Sequence, residues 1–538
     1  MPVSSKRIAS LSLAFLLAFA VGCGGCRSKE EGKTTPGAFF PTGARGFVTV
    51  EDPSVLTSLA SLLESQLAAF VATALAGGDE DPVAPLVGEL GFDPRTPEGF
   101  ASVGLDPSRS MAFGMDELGR RLVVVGVRDA RAAERWMEEM ARRQGGRTRT
   151  ERSFSTEEGP EFSIPAFIDS KGTVRLAFAT SGPWLVASDG PNAVNTVGKA
   201  LAREEAKSLT ATLAYTTTRS KLGKERAIWG WMPNPSKSRG RPGLLTKGYS
   251  FGLTVHEKDL DLRVRIPQGT LTLSVLQALS SVKPSESLLP FLSERDFLLT
   301  RVGGDPQGLE PLLRRFSAFR QLRRAGIDLS EDLLSQLRPG ILVGISLEPE
   351  PNLSGGLPVQ TSLSHTNPFH FLHTGILARV KDPEAARATL ERLAGLGEKL
   401  SMEVSSREEE GLTIYSATYA AGDGLTWALV DDLLVAAGGE GAFEALLQRV
   451  KGEGRAYTPA HPEAFELFTS RPLSVYFDVP RLVSQLRAIP ESAFGIGGFR
   501  LKALLDGWVA GIEEVRGVAL TYHVDNEGIV LDARLGIE

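Results

Sequence analysis

The feature that most constrains the fold of this chain is a long internal repeat. The segment from Leu122 reads LVVVGVRDARAAERWMEEMARR, and the segment from Ile376 reads ILARVKDPEAARATLERLAGL. In both, an apolar run typical of a strand leads into a helical pattern with apolar residues at i, i+4 and i+7. Asp129 and Asp382 stand at matching places where a helix N-cap is expected, because an aspartate side chain can accept a free backbone N–H there.

The match extends on both sides of these helices. Each copy opens with a strand-like run and an Asp-Pro helix start, Asp52-Pro53 in one and Asp305-Pro306 in the other. A Gly-Phe-Asp segment at 91–93 corresponds to a Gly-Ile-Asp segment at 326–328, and both copies close with an alternating hairpin pattern. On this alignment His256 and His523 are predicted to occupy one equivalent position.

The repeat predicts two large domains. At about 150 residues per domain, a chain of 538 residues would suggest three or four. The repeat instead indicates a tandem duplication, with domains at 41–268 and 285–538 and a linker at 269–284. Strands dominate each copy and helices intervene irregularly, so we expect an α+β fold with a mainly antiparallel sheet and packed helices.

The N-terminal segment has the pattern of an export signal. Lys6 and Arg7 precede an apolar stretch, residues 8–21, that is too short for a comfortable transmembrane helix. The stretch ends Ala-Val-Gly-Cys at residues 20–23, which resembles the lipobox of bacterial lipoproteins. The resemblance implies a signal peptide at 1–22, a lipid on Cys23 and a flexible tether through residue 40. The competing interpretation, a C-x-x-C redox pair with Cys26, lacks the strand before it and the helix after it.

The lipobox resemblance also implies an address. Gly24 follows the cysteine, where the family carries Asp for inner-membrane retention, so we expect a lipid anchor in the outer membrane, facing the periplasm or the cell surface. The order of elements behind the signal resembles exported bacterial proteins grouped as domain-of-unknown-function family 3352. That resemblance supplies no catalytic residues.

Composition narrows the classes of partner. With 42% hydrophobic residues, the chain is not a disordered protein, and with two cysteines it is not a disulfide scaffold. The net charge of −6 and the absence of a dense Lys/Arg tract disfavour nucleic acid as a partner.

One serine matches a catalytic motif by letter. Residues 248–252 read Gly-Tyr-Ser-Phe-Gly, the G-x-S-x-G pattern of a nucleophile elbow. The elbow requires a strand before the serine and a helix after it, whereas Ser250 is predicted to open a strand. Ser250 is therefore a weak nucleophile candidate, and no catalytic residue is assigned.

The histidine cluster and the tryptophans are the remaining candidates. His365, His370 and His373 could bind zinc if His370 and His373 shared a helical face. Pro368 and the strand-like run that follows it argue against a helix there, so loop histidines exposed to solvent are the favoured interpretation. Five tryptophans could line a ligand groove, although core packing is the simpler interpretation: Trp184, Trp229, Trp231, Trp427 and Trp508. No cofactor is expected.

Three functions follow from these patterns. The first is a non-catalytic, lipid-anchored envelope protein that binds or scaffolds an unknown envelope component. The second is a periplasmic carrier or sensor of an apolar ligand such as lipid. The third is a hydrolase or metal enzyme, which would need the serine or histidine candidates above. The missing catalytic constellation favours the first.

Overall fold

The computed structural model describes residues 33–51, 96–156, 161–223, 226–232, 248–256, 258–267, 286–310, 326–348, 372–397, 403–418, 424–455, 457–494, 498–525 and 528–537, together with 55, 87–88, 90–93 and 323–324. The chain divides into two compact units, Met1–Pro267 (unit 1) and Gln268–Glu538 (unit 2). In the described residues, no helix is both long and apolar enough to cross a membrane.

Unit 1 is built on an antiparallel sheet. Its described strands are β1 (Gly46–Val50), β2 (Met111–Met115), β3 (Arg121–Gly126), β4 (Thr148–Phe154), β5 (Phe162–Ile168), β6 (Val174–Ser181), β7 (Trp184–Asp189), β8 (Ile228–Met232), β9 (Tyr249–Val255) and β10 (Asp259–Pro267). They lie in the order β4-β5-β6-β7-β3-β2-β1-β8-β9-β10, with antiparallel neighbours throughout. Its described α-helices are α1 (Pro97–Ser102), α2 (Ala130–Arg143), α3 (Ala193–Ala202) and α4 (Leu213–Leu222), and short 3-10 turns cover Pro36–Phe39, Glu205–Lys207 and Leu209–Ala211.

Unit 2 is also built on an antiparallel sheet. Its described strands are β11 (Leu298–Val302), β12 (Leu337–Leu347), β13 (Leu372–Val380), β14 (Glu403–Glu409), β15 (Leu412–Thr418), β16 (Gly424–Val430), β17 (Leu433–Gly438), β18 (Leu473–Phe477), β19 (Val515–Asp525) and β20 (Gly528–Ile537). Their order is β14-β15-β16-β17-β13-β12-β11-β18-β19-β20. Its described α-helices are α5 (Leu329–Asp332), α6 (Pro383–Ala394), α7 (Ala442–Val450), α8 (Pro462–Ser470), α9 (Val479–Ala488) and α10 (Gly498–Ile512), and 3-10 turns cover Glu286–Phe291, Pro306–Leu309, Leu334–Gln336 and Glu491–Phe494.

The two sheets have the same strand order, so each strand of unit 1 has a counterpart in unit 2. Backbone hydrogen bonds at the ends of β1 and β11 fix which residues correspond. Before the strand, the N–H of Arg45 donates to the carbonyl of Met115 in unit 1, as the N–H of Phe297 donates to that of Ile345 in unit 2. After the strand, the N–H of Glu51 donates to the carbonyl of Ala227, as the N–H of Gly303 donates to that of Pro472. Phe47 therefore corresponds to Leu299. The expected α+β class with an antiparallel sheet is confirmed in both units.

Local sequence signals explain where the helices begin. Asp129 accepts a hydrogen bond from the backbone N–H of Ala132 at the start of α2, at 3.1 Å. Asp382 does the same for α6 with two N–H groups, those of Glu384 and Ala385. Both predicted N-caps are confirmed, and each satisfies donors that the first helical turn leaves free.

The Gly-x-Asp segments share a backbone conformation. Gly91 has a φ of 77° and Gly326 a φ of 99°, the left-handed region in which a β-carbon would be strained. The residue after each glycine is buried, Phe92 in unit 1 and Ile327 in unit 2. The matching sequence therefore codes for a matching turn that inserts an apolar side chain into each unit.

Side chains alternate between the two faces of each sheet. In β1, Phe47 packs on the side of α3 and α4, while Val48 packs on the side of α2. In unit 2, Leu299 packs with α7 and α8, and a separate cluster forms against α9 and α10. Each sheet thus has apolar cores on both faces, which accounts for its strongly apolar strands.

The start of unit 1 lies earlier than the sequence predicted. Residues 33–40 were expected in the flexible tether, yet Phe39 and Phe40 are fully buried. The indole N–H of Trp184 donates to the Lys33 carbonyl at 2.8 Å. The boundary at residue 41 is therefore wrong for this stretch, because its aromatic rings belong to the core. Residues 23–32, including Cys23, lie outside the described residues.

Candidate functional site

Unit 2 contains a cleft of about 450 Å³ on the α7 face of its sheet. One wall is α7 with the turn before it, and the other is the loop from Phe291 to Asp296. Strands β12 and β13 form the floor, and three buried leucines line the cleft, Leu342 and Leu377 from the floor and Leu446 from α7. The volume lies within the range of about 300–1,000 Å³ that small-molecule sites occupy.

The floor of the cleft is open because two glycines face each other across it. Gly344 of β12 pairs directly with Gly375 of β13 in the strand register. A β-carbon at Gly375 would meet only the Leu446 methyl groups, the nearer at 3.4 Å. A β-carbon at Gly344 would lie 2.5 Å from the carboxylate of Asp296. The glycine at 344 therefore makes room for a buried acid, and the glycine at 375 leaves space beside it.

Asp296 is the buried acid of the cleft. Its residue surface is only 8% exposed, and Oδ2 accepts the backbone N–H of Ser293 at 2.7 Å. In the described structure, no hydrogen bond reaches Oδ1. Burial raises the pKa of the carboxyl group to about 6, and this rise is opposed by the Ser293 N–H and by the charges of Arg449, Arg481 and Arg295.

Arg449 is the basic residue that faces the cleft. It lies in the last turn of α7, and its Nε donates to the carbonyl of Phe291 at 3.1 Å. Burial lowers the pKa of its guanidinium, and the charge of Asp296 opposes that shift. Within the described part of the chain, the terminal nitrogens of Arg449 form no hydrogen bond or salt bridge. Asp296 and Arg449 thus line one cleft and interact electrostatically without pairing.

A histidine that lines the cleft is paired with a glutamate. His373, the second residue of β13, pairs through Nε2 with the carboxylate of Glu348. A β-carbon at Gly439 would lie 2.5 Å from the His373 ring, so the turn before α7 approaches the histidine closely. Ser346, the neighbour of His373 in the strand register, is buried and also lines the cleft.

Unit 1 fills the corresponding space with side chains. The register pairs Gly114 with Leu122, so Leu122 corresponds to Gly375, and it is 1% exposed. Gly114 corresponds to Gly344, and the Phe40 ring lies 2.8 Å from where its β-carbon would be. In unit 1 this ring therefore fills the space that the Asp296 carboxylate fills in unit 2. Ala44 and Ala200 stand where unit 2 has Asp296 and Arg449. The same scaffold is therefore packed in unit 1 and open in unit 2.

One contact is common to both units. In unit 1 the carbonyl of Phe39 accepts a hydrogen bond from Arg203, just as the carbonyl of Phe291 does from Arg449 in unit 2. Arg203 follows α3, whereas Arg449 lies within α7. Burial lowers the pKa of both guanidinium groups. In each unit a half-buried arginine thus holds the segment before the first strand, and in unit 2 that arginine, Arg449, also lines the cleft.

Ser250 lies in a regular strand. It is the second residue of β9 and pairs in register with Trp231 on one side and Arg265 on the other. The register makes Ala519 its counterpart in unit 2, as β18 pairs Tyr476 with Ala519. In the described residues a strand rather than a helix follows Ser250, so the nucleophile elbow is not formed there, as the sequence led us to expect.

Of the three histidine candidates, the structure describes His373, which lies in β13 with a largely buried side chain, so the expected solvent-exposed loop position is wrong for it. His373 pairs with Glu348 as described above, whereas His365 and His370 lie outside the described residues. Among the described residues, no group of three or more His, Cys, Asp and Glu side chains could hold a metal ion. The predicted equivalence of His256 and His523 is wrong by two positions, because the hairpin registers align His523 with Thr254.

The tryptophans serve the core. Trp184, Trp229 and Trp427 are each at most 4% exposed, and Trp231 is half-buried. Trp229 and Trp231 surround Phe47 at ring-centroid distances of 5.9 and 5.2 Å. Trp508 lies in α10. Core packing is therefore the correct interpretation for the three buried tryptophans.

Sequence reasoning missed the residues that form the cleft. Asp296, Arg449 and Gly375 belong to three separate segments, and none is part of a recognised motif. A signal was nevertheless present in the repeat, since each of the three replaces a small or apolar residue of the first copy. A comparison of the copies that looked for differences rather than matches would have found them.

Comparisons with known proteins do not assign the chain to a family. No family model matches the chain, and no curated protein matches it. Among solved structures, the chain is similar to crystal form IV of TP0453, with 9% identity, a TM-score of 0.24, and coverage of 43% of this chain and 81% of that one. Crystal form I of TP0453 gives 10% identity, a TM-score of 0.24, and coverage of 45% and 75%.

Proposed function

We propose that this chain is a non-catalytic, lipid-anchored protein of the cell envelope, and that the cleft of unit 2 is its binding site. The observation that carries the binding role is the cleft itself, with the buried Asp296 and the half-buried Arg449 above a glycine floor. Such groups are costly to bury without a compensating partner. Their presence where unit 1 has apolar packing favours a role in binding over a role in stability.

We also propose that the two units arose by tandem duplication. Support comes from the shared strand order, the aspartate caps of α2 and α6, the left-handed glycines at 91 and 326, and the arginine contact to the first 3-10 turn. In this proposal unit 1 keeps the packed form, and unit 2 has gained the cleft. The resemblances to bacterial lipoproteins and to family 3352 stay predictions.

The binding role can be tested with a photo-crosslinking residue in intact envelopes. Gln448 is exposed on α7 at the rim of the cleft, and Lys199 is the exposed equivalent on α3. We expect an adduct from position 448 and none from position 199. The adduct should disappear when Gly375→Leu restores the side chain that unit 1 has. Equal adducts from both positions, or an adduct that survives Gly375→Leu, would remove the support for the cleft.

The anchor is tested separately at Cys23. Cys23→Ser should release the chain from the membrane fraction and abolish palmitate labelling, because one cysteine would carry the lipid. Several acyl chains hold a protein firmly, at about 0.8 kcal/mol per buried methylene. Cys26→Ser is the matched control and should leave both readouts unchanged. Labelling that persists in Cys23→Ser would refute the lipoprotein assignment without touching the cleft.

A carrier or sensor of an apolar ligand is the second candidate, and the leucines that line the cleft favour it. Leu342, Leu377 and Leu446 could accept an apolar part of a ligand. Mass spectrometry of the purified chain under native conditions distinguishes the two functions. A retained lipid that is absent from Gly375→Leu supports a carrier, whereas a protein crosslinked at position 448 supports a scaffold.

A further inference from the structure

The charges inside the unit 2 cleft are arranged in an unusual way for a buried site. Asp296 and Arg449 both line it, and each influences the pKa of the other, yet no salt bridge joins them in the described structure. Each is held by one contact to the backbone, Asp296 by the N–H of Ser293 and Arg449 by the carbonyl of Phe291. The remaining carboxylate oxygen and guanidinium nitrogens are left for another partner.

A buried charge without a close partner costs free energy that a ligand can recover. A cation alone would meet Asp296 but also the positive charges of Arg449 and Arg295, which line the cleft and act on the same carboxylate. An anion alone would meet Arg449 but also Asp296. A ligand that carries both charges satisfies the acid and the base together.

We propose that the cleft binds a small zwitterion, a molecule with a primary ammonium group and an oxyanion close together on an apolar body. The ammonium donates to Oδ1 of Asp296, and the oxyanion accepts from the terminal nitrogens of Arg449. The apolar body lies over Gly375 and against the leucines that line the cleft. This inference rests on the proposed binding function of unit 2 and names its ligand class.

The same chemistry occurs in two sources, which calorimetry on the purified full chain can separate. Apolar α-amino acids and dipeptides supply an ammonium and a carboxylate, so L-leucine and Leu-Leu form one arm. Dihexanoylphosphatidylethanolamine, below its micellar concentration, supplies an ammonium and a phosphate and forms the other. We expect at least one arm to bind. An absence of heat in both arms, with the protein folded, would overturn the proposal.

Paired analogues test whether the cleft recognises both the ammonium group and the oxyanion of its ligand. N-acetyl-leucine lacks the ammonium and leucinamide lacks the carboxylate, while dihexanoylphosphatidylcholine cannot donate hydrogen bonds from its quaternary nitrogen. Each analogue should bind at least tenfold more weakly than its parent compound. Analogues that bind as well as their parents would show that the cleft recognises only the apolar body, and the zwitterion proposal would fail.

Variants assign the two charges to their residues. Asp296→Asn should reduce affinity and remove the discrimination against N-acetyl-leucine or the choline lipid. Arg449→Gln should reduce affinity and remove the discrimination against leucinamide. A merely structural role would lower affinity for all compounds alike and leave these ratios unchanged, which would contradict the assignment. Arg407→Gln, which removes an exposed pair with Glu444 on the outer surface of α7, is the control and should bind as the parent chain does.

If either variant fails to fold, Gly375→Leu provides an independent test because it changes neither of the two charged residues. It should abolish binding in whichever arm is positive, and unchanged binding would place the ligand elsewhere. Failure of this proposal can be told from failure of the proposed function. A cleft-dependent adduct at position 448 without zwitterion binding would overturn the ligand class alone, whereas loss of both would overturn the binding function too.

Discussion

Unit 1 and unit 2 share one strand order but pack the same face of the sheet differently. In unit 1, Phe47 contacts four rings, and Leu122 and Phe40 are almost fully buried beside it. In unit 2, Gly375 and Asp296 stand where unit 1 has Leu122 and Ala44, and a cleft opens. The difference teaches that the fold tolerates removal of core side chains from one copy, since the second face of each sheet carries its own apolar cluster.

The strongest test exchanges the residues that distinguish the two floors. Leu122→Gly should destabilise unit 1 by about 4 kcal/mol, from the cavity left by a leucine and the added chain entropy of glycine. The reciprocal Gly375→Leu should change the stability of unit 2 by less than about 1 kcal/mol, because the new side chain enters existing space. Hydrogen exchange in increasing urea, followed on peptides from each unit, measures both. Equal losses in the two units would mean that the floor of unit 2 is already packed.

The second test uses the buried acid, for which unit 1 has no counterpart. The pKa of Asp296 is raised from its usual 3.8 to about 6, so the folded protein binds a proton at this carboxyl group more tightly than the unfolded chain does. Its contribution to the stability of unit 2 is therefore fully present below pH 4 and is lost as the pH rises through 6. The loss amounts to about 3 kcal/mol for a shift of this size.

Asp296→Asn should remove this part of the pH dependence and leave unit 1 unchanged. Urea titrations at pH 4, 5, 6 and 7, read by exchange in unit 2 peptides, measure it. The stability of unit 2 increases as the pH falls, whereas its affinity for a zwitterion should decrease below pH 6. The reason is that the Asp296 carboxylate, which lies in the field of Arg449, Arg295 and Arg481, gains a proton there and no longer attracts the ammonium group. A stability profile that is the same for Asp296→Asn and the parent chain would contradict the raised pKa.

The smallest test compares the two N-caps that the repeat shares. Asp129 accepts one backbone N–H and Asp382 accepts two, with Pro383 at the first helical position. Replacing either aspartate with alanine should cost about 1 kcal/mol, and Asp382→Ala should cost the more of the two. Asparagine at each position is the matched control and should recover most of the loss. A larger cost for Asp129→Ala would show that α2 depends on its cap more than the geometry indicates.

The sequence was sufficient for features that local chemistry decides. Alternating strands and the caps at Asp129 and Asp382 each depend on a few adjacent residues. Ser250 could also be placed in a strand, because a strand pattern follows it directly. These signals need no knowledge of distant segments, so they survive in a single sequence.

The cleft could not be predicted in this way because its parts meet only in the folded sheet. A glycine in a strand, such as Gly375, usually indicates a β-bulge or a close approach of another backbone. An aspartate before a strand, such as Asp296, usually indicates an acidic loop residue. Their meeting depends on the register between β12 and β13, which places Gly344 opposite Gly375. Register also explains the error at His256 and His523, since a small difference in strand length shifts an alignment by two residues without changing its apolar pattern.

The paired glycines of β12 and β13 have one more consequence, which concerns how the cleft responds to an occupant. At these two glycines the floor is main chain held on both sides by sheet hydrogen bonds, so no rotamer must change at that point when a molecule enters. A floor of this kind is preorganised, and it adds little to the entropic cost of association. Adjustment is left to the walls, the Phe291–Asp296 loop and α7, and variants in those walls should alter the rate of release more than the shape of the bound state.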